Sequence, residues 1–439
     1  MKNIYTFLLG SLLLTTACST DLDQAPPNLA SSDSLTDFEG VLNAAYYYQL
    51  GAVTPMAVMG EFRSDNAFMF EAPYTEFDLF TQNLTTMEDQ FFAPLYRSLY
   101  KSILSANNVI ENSSNATHVG EAKFLRALAY FKLVIAFGDV TVNLDASPSL
   151  TDTSILVRQP AADVYNDVII PDLTDAISAL GTVIDDGRAS RYAAQGLLGK
   201  VYMYMNNTSA AEAQLAAVVN GASGAGISLK SNFADVFGAA NEAGNSEIIY
   251  STQIQSSIVD EYSFASRFWN WFVGDDSKSD FPVDPDLVAA FDASGAADTR
   301  RAVTLHADGR TAIKFPKDGG LGSEHDWIEL RLADVILLYA EALNENSNTA
   351  AALVQLNKIR NRAGLANSTA STQAEVRQAI QDERRLELAF EGHRWFDLVR
   401  TNSVNAEMGV TVNANYHVFP IPTSEVRSTN GVITQNAGY

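Results

Sequence analysis

This chain has few cysteines, histidines and basic residues for its length of 439 residues. One cysteine rules out an intramolecular disulfide framework, and five scattered histidines without an HExxH pair argue against a zinc site. Only 29 lysines and arginines stand against 52 acids, a formal net charge of −23. The negative electrostatic potential of such a chain repels nucleic acid, so no nucleic-acid partner is expected. Beyond the N-terminal region, no apolar run approaches the roughly eighteen residues of a membrane-spanning helix.

The N-terminus has the layout of an export signal. A basic residue, Lys2, precedes an apolar run at 4–14 and small residues at 15–17, and the single cysteine follows as Cys18. This position resembles the lipobox of bacterial lipoproteins, so we predict a lipoprotein signal peptide at 1–17 and lipidation of Cys18. The alternative is an ordinary secreted protein in which Cys18 is a free thiol. Residues 18–34 are rich in Asp, Pro and Ser and are predicted to form a flexible tether.

Most of the remaining chain has a helical pattern. Apolar residues recur at helical spacing, and short linkers between such segments favour antiparallel neighbours. Small residues alternating with Tyr resemble helical hairpins of the tetratricopeptide (TPR) kind, although no fixed period is present. We predict a single domain at 35–439, with a helical scaffold at about 35–220 and 325–439 and a loop-rich insertion at about 222–321. Segment 51–90 also has a loop-rich composition, and strand-like runs occur at 247–250 and 312–315. The predicted helices are 38–49, 91–111, 120–137, 164–180, 192–205, 328–345 and 349–362.

One C-terminal block is distinctive. The segment QDERRLELAFEGHRWFDLVR at 381–400 resembles the hallmark of the SusD/RagB family of outer-membrane nutrient-binding lipoproteins. Further blocks agree with the family in the family's order, and together with Cys18 they reach from the N-terminal region to the end of the chain. They are EAKFLRALAYF at 121–131, FGDV at 137–140, RLADVILLYAEALN at 331–344, LNKIRNRAG at 356–364, FPIP at 419–422 and TQNAGY at 434–439.

The resemblance implies a mainly α, SusD-like fold in which TPR-like helical hairpins support a loop-rich face with short strands. It implies a lipid anchor in the outer membrane at the cell surface, and a SusC-like TonB-dependent β-barrel transporter that the protein caps as a lid. The implied role is capture of an oligosaccharide or polysaccharide for that transporter, or of a peptide, as in RagB-like members. It implies no catalysis, and we expect no cofactor and no metal.

Three acids of the hallmark block recur every four residues and would share one face of a helix. Glu383, Glu387 and Glu391 interleave with arginines, so we predict structural ion pairs. The remote alternative is a glycosidase, in which paired carboxylates serve as acid and nucleophile or base. If the acids are structural, Glu391→Ala should lower stability more than it lowers ligand affinity. Acid pairs at 275–276 and at 284 and 286 are expected to be solvated, with a calcium site as the alternative.

A sugar ligand requires an exposed aromatic platform and planar polar groups that each serve two hydroxyls. Segment 262–276 concentrates these residue types, and in an extended chain Trp269 and Trp271 point the same way. A second candidate is segment 61–77, which resembles the early family segment near the ligand surface. The alternatives are that the aromatics belong to the core and that the polar residues of 63–66 tie a loop to the first helix. The predicted ligand-binding residues are Trp269, Trp271, Arg267, Asp275, Arg63, Asp65, Asn66 and Tyr74.

Overall fold

The computed structural model describes residues 36–149, 151–184, 187–254, 283–315 and 325–439. Phe38–Tyr439 fold as one compact unit. The helices of seven residues or more in the described ranges are α1 (Phe38–Glu61), α2 (Ala93–Asn112), α3 (Ala116–Phe137), α4 (Ile170–Ala179), α5 (Arg191–Tyr204), α6 (Thr208–Gly221), α7 (Pro285–Ser294), α8 (Leu332–Glu345), α9 (Thr349–Arg362), α10 (Gln373–Leu388) and α11 (Arg394–Arg400).

Shorter elements connect these helices. The strands are β1 (Val140–Thr141), β2 (Arg158–Gln159), β3 (Ile248–Thr252) and β4 (Trp327–Arg331), which pair antiparallel as β1–β2 and β3–β4. π-helical turns at Glu88–Phe92 and Tyr165–Ile169 lead directly into α2 and α4. Short α-helices lie at Glu76–Leu79, Ala161–Val164, Arg301–Thr304, Val404–Glu407 and Thr423–Ser428.

Local sequence explains where several helices begin and end. The Asn115 side chain accepts hydrogen bonds from the amides of Thr117 and His118 and so caps α3. That helix ends at Gly138, whose φ of 73° suits a residue without a Cβ. Thr372 and Glu375 form a reciprocal capping box at the start of α10.

Consecutive helices pack as neighbours through most of the described chain. The series α1 to α6 packs helix against helix, α6 then packs on α8, and α8 packs on both α9 and α10. A continuous core of buried aliphatic and aromatic side chains fills the space between them. The mainly helical architecture with stacked helical pairs, predicted from periodicity, is confirmed.

Three boundary predictions were wrong. Helix α1 continues to Glu61, through Pro55 and into the segment expected to be loop-rich, because its residues from Gln49 to Glu61 are all buried. The predicted helix at 328–345 begins only at Leu332, since the preceding residues pair with β3 as strand β4. The strand-like run at 312–315 forms only an isolated bridge, between Leu305 and Ala312.

Three acids of the hallmark block lie inside the protein among basic side chains. Glu383, Glu387 and Glu391 are each no more than 2% exposed. Helix α10 ends at Leu388, so Glu391 lies in the following turn and not on the helix as the spacing predicted. Its carboxylate nevertheless joins the others. We call this group the ionic cluster: Glu247, Asp298, Arg300, Lys314, Arg331, Arg360, Arg362, Glu383, Glu387 and Glu391.

Arg331 is the centre of the ionic cluster. Its Nε lies 2.7 Å from Glu391 Oε2, and its Nη1 lies 2.7 Å from Glu387 Oε1 and 2.9 Å from Glu247 Oε1. Lys314 Nζ approaches Glu391 Oε1 at 2.5 Å. Burial disfavours the charged form of Glu391, but Arg331 and Lys314 outweigh it and lower the pKa of Glu391 to about 2. The ionic cluster therefore joins α9, α10, the end of β4 and the segments that carry Glu247, Arg300 and Lys314 through their charged side chains.

Removal of one carboxylate from the ionic cluster should destabilise the fold, because its basic partners would stay buried without a counter-charge. We expect Glu391→Ala to lower the free energy of unfolding at pH 7 by about 3–5 kcal/mol, because Arg331 and Lys314 would lose a buried partner. A carboxyl with a depressed folded-state pKa stabilises the fold above its unfolded pKa of about 4.3, and this contribution is lost as pH falls towards 2. The variant should therefore show a shallower acid loss of stability over that range in denaturant titrations.

The matched control is Asp382→Ala, which removes an exposed carboxylate from α10, the helix that precedes Glu391. Its unfolding free energy should stay within about 0.5 kcal/mol of the parent. Equal stability of the Glu391 and Asp382 variants would contradict a structural role for the cluster.

Candidate ligand-binding surface

A turn at residues 67–71 presents aromatic rings to solvent. Phe70 is 62% exposed and Phe68 is 36% exposed, and Glu71 beside them is also exposed. The chain before the turn is buried from Glu61 to Ala67, so the rings emerge from a rigid base. Large apolar rings in open water mark a surface that gains free energy by contacting a partner.

Two other segments border this turn. Ala67 forms an antiparallel bridge with Val283, and the Asp284 amide donates to Asn66 O at 3.0 Å. The Val283 amide in turn donates to Arg310 O at 2.9 Å. Arg310 belongs to a hairpin that is closed by the bridge between Leu305 and Ala312. We call residues 67–71, 283–286 and 305–312 together the turn surface.

Polar side chains accompany the rings on the turn surface. Asp286, His306, Asp308 and Arg310 are exposed, which adds carboxylate, imidazole and guanidinium groups to the aromatic turn. Asp284 is half-buried and its carboxylate accepts a hydrogen bond from the Asp286 amide, so it caps α7. Of the residues that the structure describes, no group of three or more His, Cys, Asp or Glu is placed to hold a metal ion.

The polar residues predicted to contact a ligand directly are buried instead. Asp65 is 4% exposed, and Arg394 holds its two carboxylate oxygens through Nε and Nη2, each at 2.7 Å. Arg385 adds a contact of 3.1 Å to Asp65 Oδ2 and donates to Asn66 Oδ1 at 3.1 Å. Burial opposes ionisation of Asp65, but Arg394 and Arg385 keep its pKa below the usual value. The hallmark block thus holds the base of the turn.

Asn66 is fully buried and also joins α1 to the hallmark block. Its Nδ2 donates to Glu61 Oε2 at 2.9 Å, while Glu61 Oε1 accepts the Gly392 amide at 2.8 Å. Burial raises the pKa of Glu61 to about 7 against these hydrogen bonds. Gly60 lies against Gly392 so closely that a Cβ on Gly60 would meet the Gly392 carbonyl oxygen at 2.2 Å.

Arg63 and Tyr74 are buried as well. Arg63 donates to Phe77 O and Tyr416 O, each at 3.0 Å, and its guanidinium lies 4.6 Å from the ring centroid of Phe80. Tyr74 is 7% exposed. The structure thus places Arg63, Asp65, Asn66 and Tyr74 inside the protein, not at the surface where the sequence expectation put them. The polar groups of Arg63, Asp65 and Asn66 bind buried protein partners instead.

The other predicted ligand residues, Arg267, Trp269, Trp271 and Asp275, lie outside the described residues, as does Cys18.

The exposed rings of Phe68 and Phe70 belong to the second candidate segment, 61–77, but they are not among the predicted ligand-binding residues. They occupy alternate positions of the chain, a spacing that would put both rings on one side of an extended segment. Tyr74 and Phe77, aromatic residues of the same segment, are buried. The alternation was the available signal, but residue type alone does not separate the exposed rings from the buried ones.

Comparisons with known proteins agree with this fold. Residues 310–439 match the family described as the SusD family, and residues 21–203 match the one described as "Starch-binding associating with outer membrane". Both matches are to SusD families, and together they support the assignment of the chain to the SusD/RagB family. The match at 310–439 contains the hallmark block and part of the ionic cluster, and the match at 21–203 contains the aromatic turn.

Individual SusD/RagB relatives resemble the chain over nearly its whole length. It is 26% identical to SusD-like protein P2 of Formosa agariphila, covering 98% of each chain. A solved structure described as a laminarin-binding SusD-like protein is 25% identical with a TM-score of 0.74, covering 92% of this chain and 99% of the other. A SusD superfamily protein of Parabacteroides distasonis shares the fold at 21% identity and a TM-score of 0.76, covering 94% and 100%.

The link between the hallmark block and the turn can be tested through Asp65. Asp65→Asn keeps the size of the side chain but removes the charge that pairs with Arg394 and Arg385. We expect the amides of Met69 and Asp284, which are bonded to Asp78 and Asn66, to exchange with solvent deuterium at least about tenfold faster.

Glu71→Gln is the control, because it makes the same chemical change on the exposed part of the turn. Its exchange rates should match those of the parent. Unchanged protection of Met69 and Asp284 in Asp65→Asn would mean that the hallmark block does not hold the turn.

Proposed function

We propose that this chain binds a neutral oligosaccharide or polysaccharide at the turn surface and delivers it to a transporter without cutting it. The observation that carries the proposal is the pair of exposed rings, Phe68 and Phe70, supported on a buried base beside exposed polar groups. The laminarin-binding SusD-like protein with the same fold adds support, since laminarin is what that protein's description names.

The chemistry of the turn surface suits a sugar. A pyranose ring has an apolar C–H face, which can lie against an aromatic ring, and a rim of hydroxyls that bind planar polar groups. Asp286 and Arg310 supply groups of that kind, each able to serve two neighbouring hydroxyls. The net charge of −23 disfavours a polyanionic ligand, so a neutral α- or β-glucan is the favoured class.

The buried acids argue for binding and against hydrolysis. A glycosidase needs one carboxyl that is protonated and one that is ionised, both beside the sugar. Glu383, Glu387 and Glu391 are buried and surrounded by arginine and lysine side chains, so none of them is placed to contact a sugar at the turn surface. This arrangement supports a structural role for the three acids, and it argues against the alternative in which they are the catalytic carboxylates of a glycosidase.

A peptide ligand is the second candidate. Exposed phenylalanines with an arginine and carboxylates nearby also suit an extended peptide, and RagB-like members of the family were the basis for that expectation. Peptide and glycan are separated by titrating both classes against the same protein.

The glycan proposal predicts binding that depends on the rings. Calorimetric titration of the purified full chain with laminarin and with soluble starch should show micromolar affinity for at least one of them, about −8 kcal/mol. Phe70→Ala should weaken that binding roughly fivefold, since an aromatic contact contributes about 1 kcal/mol. Incubation with the bound glycan should release no new reducing ends.

Val354→Ala is the control for lost apolar surface, because Val354 is exposed on α9. It should bind like the parent. Affinity unchanged in a Phe68→Ala, Phe70→Ala double variant but lost in Trp269→Ala, Trp271→Ala would move the site to segment 262–276. Absence of binding to any glycan, with binding to a peptide, would replace the proposal.

We further propose that the protein is held at the outer membrane by acyl chains on Cys18. None of the helices within the described ranges is long and apolar enough to cross a bilayer. Two or more acyl chains would supply stable attachment, at roughly 0.8 kcal/mol for each buried methylene. The negative charge of the protein would then be repelled by anionic lipid head groups, which leaves the turn surface open to its ligand.

Lipidation predicts that the full chain extracted from membranes carries fatty acid on Cys18 and that Cys18→Ser chain appears in the soluble fraction. Mass spectrometry and fractionation measure both, and Cys18→Ser should keep the parent's laminarin affinity. An unmodified Cys18 in membrane-extracted protein would reject the anchor. A pull-down from the same membranes should recover a SusC-like TonB-dependent β-barrel, and its absence would reject the transporter partnership.

A further inference from the structure

A cavity of about 60 Å³ lies between α3, α5, β4 and the turn that follows α10. Space of this size holds the centres of several water molecules, since one needs about 10–15 Å³. It lies apart from the turn surface, and its lining includes none of the residues that form that surface. We call it the central cavity, lined by Met56, Phe124, Leu128, Phe131, Lys132, Ile135, Ala193, Leu197, Lys200, Tyr204, Tyr250, Trp327, Ile328, Glu329, Leu330, Glu391, Gly392, His393 and Phe396.

The walls of the central cavity are mainly apolar and aromatic. Phe124 meets Tyr250 edge to face at a centroid distance of 4.9 Å, and Phe131 meets Tyr204 in the same way at 5.0 Å. These interlocked rings fix the shape of the space, because edge-to-face pairs resist rotation within a packed core. Leu197 is one of the aliphatic residues that line the same space.

The charged groups of the cavity are already paired. Lys132 Nζ lies 2.5 Å from Glu329 Oε1, and Thr252 Oγ1 donates to the same carboxylate at 2.8 Å. Lys200 Nζ lies 3.2 Å from Asp334 Oδ2. A charged ligand would therefore enter without a counter-ion and would pay a desolvation cost that nothing offsets.

Some neutral polar groups of the cavity remain available. Lys200 Nζ lies 3.2 Å from His393 Nδ1, and an ammonium can only donate, so Nδ1 accepts and the neutral ring carries its proton on Nε2. Burial and Lys200 lower the pKa of His393 to about 4, which keeps the ring neutral at pH 7. In the described part of the chain, no residue hydrogen-bonds with His393 Nε2 or with the hydroxyls of Tyr204 and Tyr250.

These features define a ligand class. We propose that the central cavity binds a small neutral molecule with an aromatic or short aliphatic body and one hydroxyl or carbonyl oxygen. The body would contact the apolar walls, and the oxygen would meet the free hydroxyl and imidazole N–H groups. A sugar ring does not fit this description, because several of its hydroxyls would face apolar walls at about 1–3 kcal/mol each. The site is thus distinct from the proposed glycan surface.

Calorimetric titration of the full chain with phenol, toluene and glucose tests this assignment. Phenol should bind, toluene should bind at least about threefold more weakly, and glucose should not bind. Leu197→Trp, which fills the cavity with a larger side chain, should abolish phenol binding. Laminarin affinity should be unchanged in this variant, so failure of the cavity site and failure of the glycan proposal are distinguished.

Tyr204→Phe removes only a hydroxyl and keeps the proposal testable if Leu197→Trp does not fold. It should weaken phenol binding roughly fivefold. Tyr202→Phe makes the same change on the same helix at a residue that does not line the cavity, and it should bind like the parent. Absence of phenol binding, phenol binding that survives Leu197→Trp, or equal effects of the two tyrosine variants would overturn the site.

Discussion

The structure depends on one constraint: every charge buried in the ionic cluster must keep a partner. Arg331 stands between Glu247, Glu387 and Glu391, which come from segments distant in the chain. A buried ion pair contributes little net stability when complete but costs several kcal/mol when one member is removed. This requirement fixes how the elements pack, because α9, α10 and β4 can pair all of these charges only in one relative placement.

The same block of sequence extends this arrangement to the proposed ligand surface. Arg394 and Arg385 hold Asp65 and Asn66, and the Gly392 amide holds Glu61 at the end of α1. The exposed rings begin only two residues after Asn66. A loop carrying Phe68 and Phe70 would lose conformational freedom on binding a flexible glycan, and a buried, ion-paired base reduces that entropy cost in advance.

Helices with regular apolar spacing and recognisable caps were predictable from sequence. The segment at 120–137 forms the body of α3 and ends before Gly138, and Glu383, Glu387 and Glu391 are ion-paired as their spacing beside arginines indicates. The strand at Trp327–Arg331 was not predictable from its own apolar run, because its conformation depends on pairing with β3. Local pattern also misplaced Glu391, which lies beyond the helix yet reaches the same arginine.

The proposed site was less accessible to sequence reasoning. Asp65, Asn66 and Arg63 have side chains that suit a sugar, but the same donors and acceptors suit buried partners contributed by residues more than three hundred positions away. Solvent exposure decides whether such a side chain binds a sugar or a protein partner, and exposure depends on the tertiary structure. Phe70 and Phe77 differ in it completely although they belong to one short segment.

A crystal structure of the chain with a laminarin oligosaccharide would show whether the hallmark block only supports a binding surface or takes part in chemistry. We expect an intact oligosaccharide with a sugar ring against Phe68 or Phe70, and Glu387 and Glu391 still paired with Arg331. A sugar in contact with those glutamates, or an oligosaccharide cleaved beside them, would contradict this expectation.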